Sequence, residues 1–74
     1  MKTIADVYGS FAEQVVPKDA PPVQRQETRR AFYAGAAALY EVLSSIPDNL
    51  VESGAAAVEK ELQDFAKAVS ADRA

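Results

Sequence analysis

The stretch Gln24-Arg25-Gln26-Glu27-Thr28-Arg29-Arg30-Ala31-Phe32-Tyr33-Ala34-Gly35 concentrates the side chains able to recognise a ligand. Wound as a helix, it places Gln26, Arg30, Tyr33, Ala37, Tyr40 and Ser44 on one stripe. That stripe runs roughly a quarter-turn from the apolar Phe32/Leu39/Leu43 face, with Arg29 between the two. Such a mixture suits a planar, anionic ligand: guanidinium forks grip phosphate or carboxylate, a phenol ring stacks, and an amide reads a base edge or a ribose. Gln26, Arg29, Arg30 and Tyr33 are the leading ligand-binding candidates, with Arg25, Lys18 and Tyr40 beside them. Arg25 and Arg29 are like charges one helical turn apart near a helix N-terminus, where the dipole favours an anion, so local electrostatics opposes their placement. An anion bound near Pro22 and Arg25, with Lys18 reaching in from the preceding loop, would relieve the conflict; so would an acidic partner surface. A structural reading stands beside this one. Arg29 and Arg30 can pair with Glu27, Asp19 or the acids of the third helical segment, in the same or another subunit, and Tyr33 and Tyr40 can edge the core. Tyr8, on the apolar face of the first segment, reads as core rather than site.

Catalytic machinery is sparse. The chain has no cysteine and no histidine, which removes thiolate nucleophiles, imidazole bases and the usual zinc sites. Glu27 and Glu41 lie fourteen positions apart on one segment, a poor start for a carboxylate pair. The acids of the third segment read as a solvated charged face. The expectation is a binding protein, not an enzyme, with no metal and no cofactor.

Three helical segments must position these residues. In the first, Ile4, Val7, Tyr8, Phe11, Ala12 and Val15 form one apolar stripe, Thr3 is a natural N-cap with Asp6 three residues on, and Pro17 stops the helix. The spacing predicts a helix over 3–15. Lys18-Asp19-Ala20-Pro21-Pro22 is a stiff connector, and Pro22 suits the first position of a second helix, predicted over 22–45. Phe32, Gly35, Ala36, Leu39, Leu43 and Ile46 share its core face. Its alanine-rich middle, with Gly35, points to close approach by another helix, because glycine inside a helix otherwise costs about 1 kcal/mol. After Pro47 a third helix is predicted over 50–69, capped by Asp48 or Ser53. Val51, Ala55, Val58, Leu62, Phe65 and Val69 make a heptad seam that should pack along another helix. Residues 70–74 are expected to fray. The fold class is therefore all-α: a helical hairpin plus an N-terminal helix, one domain spanning 1–74.

With 74 residues and no disulfide, the chain is too short to bury a large core alone, so the expectation is a homo-oligomeric helical bundle. A hydrophobic fraction of 49% argues against disorder, although alanine supplies much of it. The net charge of −3 is unevenly spread: residues 1–37 hold five Lys/Arg against four Asp/Glu, and residues 38–74 hold three against seven. That balance disfavours general nucleic-acid binding, which needs a cationic surface. No apolar run suits a membrane span, and the start Met1-Lys2-Thr3-Ile4-Ala5-Asp6 lacks the apolar block of a signal peptide, so a cytoplasmic location is expected.

Across Val15-Val16-Pro17-Lys18-Asp19-Ala20-Pro21-Pro22-Val23-Gln24 and Glu27-Thr28-Arg29-Arg30-Ala31-Phe32-Tyr33-Ala34-Gly35-Ala36, about a third of the chain, the sequence resembles small helical proteins of tailed bacteriophages. The family supplies no assigned active site. The resemblance implies a setting, the bacterial cytoplasm during phage infection. There, sponges of the Lockin and Sequestin type sequester nucleotide immune signals of Thoeris or related systems in pockets between subunits. No residue role is carried over from them. Three functional expectations follow: sequestration of an ADP-ribose-derived or cyclic nucleotide signal; blockade of a host defence or regulatory protein by an exposed helical face, with the acidic third segment binding by charge complementarity; or a virion assembly or structural subunit.

Overall fold

The computed structural model describes residues 1–74 as three α-helices and a short 3₁₀ turn, without strands. The helices are α1 (Ile4–Val15), α2 (Pro22–Ser44) and α3 (Val51–Ser70), with the 3₁₀ turn at Asp48–Leu50. Contacts divide the chain into two compact units, Met1–Glu41 and Val42–Ala74. None of the three helices is long and apolar enough to cross a membrane.

In the first unit, α1 opens on a reciprocal cap. The Asp6 amide donates to Thr3 Oγ1 at 3.1 Å, and the Thr3 amide donates to Asp6 Oδ2 at 3.0 Å. Two orphan donors of the first turn are thereby satisfied. These bonds favour the charged carboxylate and hold the Asp6 pKa below its ordinary value, the backbone amide of Thr3 contributing most and its side chain next. The helix ends at Val16, whose extended backbone (φ −89°, ψ 122°) is the geometry a following proline demands. Its amide still closes onto the Ala12 carbonyl at 3.0 Å. A turn from Pro17 to Ala20 and the Pro21-Pro22 pair then start α2, whose first turn is closed by the Arg25 amide on the Pro21 carbonyl at 3.1 Å.

Three aromatic rings hold α1 on α2. Phe11 and Phe32 have centroids 5.0 Å apart, and Tyr8 meets Phe32 edge-on at 5.2 Å, the T-shaped geometry that ring quadrupoles favour. Val16, the residue that ends α1, is 8% exposed, the one buried hydrophobic side chain of the chain. The tight helix contact expected at Gly35 is not there: nothing lies within 4 Å of the place its Cβ would occupy. Bulky rings, not small residues, set the spacing of α1 and α2. Of the expected α2 core face, Phe32 and Ala36 are half-buried while Leu39 and Leu43 are exposed.

In the second unit, α2 tightens at its end through Ser45 and Ile46 amides on the Val42 and Leu43 carbonyls, and Pro47 turns the chain. Neither Asp48 nor Ser53 caps α3 as expected. The 3₁₀ turn, closed by the Leu50 amide on the Pro47 carbonyl at 2.9 Å, runs straight into the helix, and the Ser53 hydroxyl donates to the Leu50 carbonyl instead. Close approach occurs at Gly54, where a Cβ would stand 2.6 Å from Ile46 Cγ2. The heptad seam, expected to be packed, is exposed at Val51, Leu62, Phe65 and Val69 and half-buried at Val58. At the end of α3 Asp72 takes the left-handed conformation (φ 58°), its amide donates to the Val69 carbonyl, and the Arg73 amide donates to the Ala68 carbonyl at 2.8 Å. This is the Schellman pattern that satisfies the last carbonyls of a helix.

Candidate functional site

The return of α1 along α2 places Tyr8 opposite the cationic stripe. Tyr8, Arg25, Gln26, Arg29, Arg30 and Tyr33 line one open cleft of about 610 Å³, within the size range of small-molecule sites. Every one of these residues belongs to the first unit, and no carboxylate is among them. Tyr33 is half-buried, its ring 6.3 Å from that of Tyr8 and 6.3 Å from that of Phe32. The aromatic wall of the cleft is thus the outer edge of the cluster that holds the hairpin together.

The three arginines are held differently. Arg29 places its guanidinium 5.6 Å from the Tyr33 ring centroid, a cation–π distance that keeps the fork over the aromatic wall without consuming its hydrogen-bond donors. Arg30 pairs with Glu27 at 3.5 Å, both side chains about two-thirds exposed (67% and 64%). A pair so exposed is worth little and gives way readily to a competing anion. Arg25 is engaged with backbone. Its Nη2 donates to the Pro17 carbonyl at 3.0 Å and the Lys18 carbonyl at 2.8 Å, and its Nε donates to the Ala20 carbonyl at 3.3 Å. The adverse placement of Arg25 near Arg29 is therefore offset from within the chain, by three carbonyl dipoles of the connector. Arg25 fixes the loop and lends its charge to one edge of the cleft.

Of the residues singled out from sequence, Arg25, Gln26, Arg29, Arg30 and Tyr33 come together. Lys18 does not join them; it lines a neighbouring hollow of about 470 Å³ with Ala12, Glu13, Val16 and Arg25. Tyr40, 74% exposed, lines neither hollow. Tyr8 lies on the apolar stripe of α1, and it serves both as a core ring and as a wall of the cleft. The signal that would have found it is the short Pro17–Pro22 connector, which forces α1 back along the start of α2.

The geometry offers cationic forks, one amide and two phenols around a space large enough for a sugar and a ring. It presents no carboxylate to the space, and no group of acidic side chains in the chain is arranged to hold a metal ion. No protein-family model matches the chain, and neither a curated protein nor a solved structure matches it.

Proposed function

We propose that this protein captures an anionic, ring-bearing small molecule of the nucleotide class, ADP-ribose-derived or cyclic, and holds it without transforming it. One observation carries the reading: Gln26, Arg29, Arg30, Tyr33 and Tyr8 line a single cleft whose wall contains no acid. Arg29 and Arg30 clamp phosphate, Tyr33 and Tyr8 flank the base, and Gln26 hydrogen-bonds a base edge or a ribose hydroxyl. Because the cleft is open, a second copy of the chain laid across it would complete the enclosure and bury apolar surface that so short a chain leaves uncovered. In the phage-infected cytoplasm that the resemblance implies, such capture would deprive a host defence system of its signal.

Calorimetry with ADP-ribose, a cyclic dinucleotide and inorganic phosphate tests this. A nucleotide should bind and raise the melting temperature, and phosphate alone should bind far more weakly because it leaves the aromatic walls empty. Arg29→Ala or Arg30→Ala should weaken nucleotide binding about 10- to 100-fold, the loss of one charge-assisted contact. Glu27→Gln should tighten binding a few-fold by releasing Arg30. Absence of heat across the panel, with Arg30→Ala fully functional in infected cells, would sink the proposal.

A further inference from the structure

α3 separates its apolar and charged side chains sharply. With Val51, Val58 and Phe65 at heptad positions d and Ala55, Leu62 and Val69 at positions a, the seam has the alternating four-three spacing of a coiled-coil strand. Leu62 is 59% exposed and Phe65 62%. The borders of that seam are positions e and g. They hold Glu52, Glu59 and Glu61 together with Gly54, Ala66 and Ala68, and not one cation. Both lysines of the helix, Lys60 and Lys67, fall at position f on the far side, and Lys60 is engaged with Asp64 at 2.7 Å. None of the three border glutamates forms an ion pair; the chain's two ion pairs are Arg30–Glu27 and Lys60–Asp64.

This arrangement selects its occupant by charge. Two copies of α3 joined along their seams would gain no ion pair, since every border carboxylate would meet glycine, alanine or another glutamate, and six carboxylates would be gathered along one interface. A helix with apolar a and d positions and Lys or Arg at e and g would instead meet each glutamate with a cation, while covering Leu62 and Phe65. We propose that the α3 seam is the docking surface for a cationic amphipathic helix of another protein. The proposal stands independently of what the α1–α2 cleft binds, because no cleft residue lies on α3.

The test uses the full chain and a synthetic peptide of about three heptads, with Leu at a and d and Lys at e and g. Fluorescence anisotropy of the labelled peptide should show saturable binding that weakens about tenfold as salt rises from roughly 0.05 to 0.5 M. The double reversal Glu59→Lys/Glu61→Lys should weaken it about tenfold or more while leaving the apolar seam intact, and Phe65→Ser should abolish it. Should Phe65→Ser lose helicity by circular dichroism, the charge reversal still decides. The proposal is overturned if the same peptide with Glu at e and g binds equally well, or if the Lys peptide does not bind. It is equally overturned if the chain alone sediments as a dimer that the seam variants dissociate, for a second copy would then be the occupant.

Discussion

Met1–Glu41 and Val42–Ala74 spend their large apolar residues in opposite ways. In the first unit, Tyr8, Phe11 and Phe32 converge from two helices, and Val16, where α1 meets the connector, is less than a tenth exposed. In the second, Leu62, Phe65 and Val69 stand in the open along a single helix, and the close contact there is Ile46 on Gly54. The difference follows from what each helix has to pack on. A six-residue connector rich in proline turns α1 back onto α2, so rings from both can meet, whereas α3 in its own unit has only the 3₁₀ turn and the end of α2. The first unit has thereby built a wall, and the wall is what gives its arginines something to face. The second has built a face for something else to cover.

The sharpest way to break this contrast is to remove one ring from each unit. Phe32→Ala should destabilise the protein by about 2–3 kcal/mol, somewhat less than a fully buried phenylalanine because Phe32 is half-buried. Phe65→Ala should cost less than about 0.5 kcal/mol in the chain alone, as a surface substitution does. Urea titration followed by circular dichroism measures both. Equal costs would mean that Phe65 is covered in solution, and the two units would not differ as described.

A smaller effect sharpens the same contrast at two glycines. Gly35→Ala adds a methyl where nothing lies within 4 Å, so it should stabilise α2 by up to about 1 kcal/mol through helix propensity alone. Gly54→Ala drives its Cβ to 2.6 Å from Ile46 Cγ2, an atom fixed one bond from a stiff β-branched centre. Overpacking of about 1–3 kcal/mol then outweighs the propensity gain, and the variant should be destabilised by roughly 1 kcal/mol. In the Ile46→Ala background the substitution should become favourable. Thermal melts of the four variants settle it; a Gly54→Ala chain as stable as Gly35→Ala would show that Ile46 does not rest there.

These two glycines also mark what the sequence could and could not reveal. All three helices were legible because their signals are local: a Thr3/Asp6 cap, Pro17 and Pro22 around one turn, Pro47 at the next, and unbroken apolar periodicity between. The expected 3–15, 22–45 and 50–69 stand beside Ile4–Val15, Pro22–Ser44 and Val51–Ser70. Which glycine meets a side chain depends on tertiary spacing: at Gly35 that spacing is set by rings far apart in the chain, Phe11 and Tyr8 against Phe32, and at Gly54 by the turn that brings Ile46 back onto α3. Five of the seven proposed ligand residues share a cleft because they fall in adjacent turns of one helix, Gln26, Arg30 and Tyr33 on one stripe with Arg25 and Arg29 beside it, whereas Tyr40, farther along the same stripe, lies beyond the cleft. Tyr8 escaped because it reaches the cleft from another helix. Arg25 was legible as an electrostatic conflict but not as its resolution, since backbone carbonyls leave no mark in residue types. The 3₁₀ entry to α3 was hidden for the same reason: Asp48 and Ser53 look like caps, and only the hydrogen-bond geometry shows that a turn already does their work.

The smallest effect concerns the start of α1, which anchors the ring-bearing helix of the first unit and has no counterpart at the uncapped start of α3. Thr3→Ala removes the hydroxyl that receives the Asp6 amide and should lower stability by about 1 kcal/mol, as N-cap replacements do. The pH dependence carries the more specific signature. Because the folded-state pKa of Asp6 lies below its ordinary value of 3.8, the carboxylate contributes stability that is fully present above that value and is lost as pH falls through the lower folded value. Carbon-13 titration of the Asp6 carboxyl should therefore give a midpoint below 3.8, and Thr3→Ala should raise it only partway, because the larger cause, the backbone amide at position 3, survives the substitution. Asp6→Asn should flatten the acid-induced loss of α1 helicity while leaving α3 unaffected. A wild-type midpoint at or above 3.8 would mean that the cap is open in solution, and the rigid placement of Tyr8 and Phe11 would lose one of its supports.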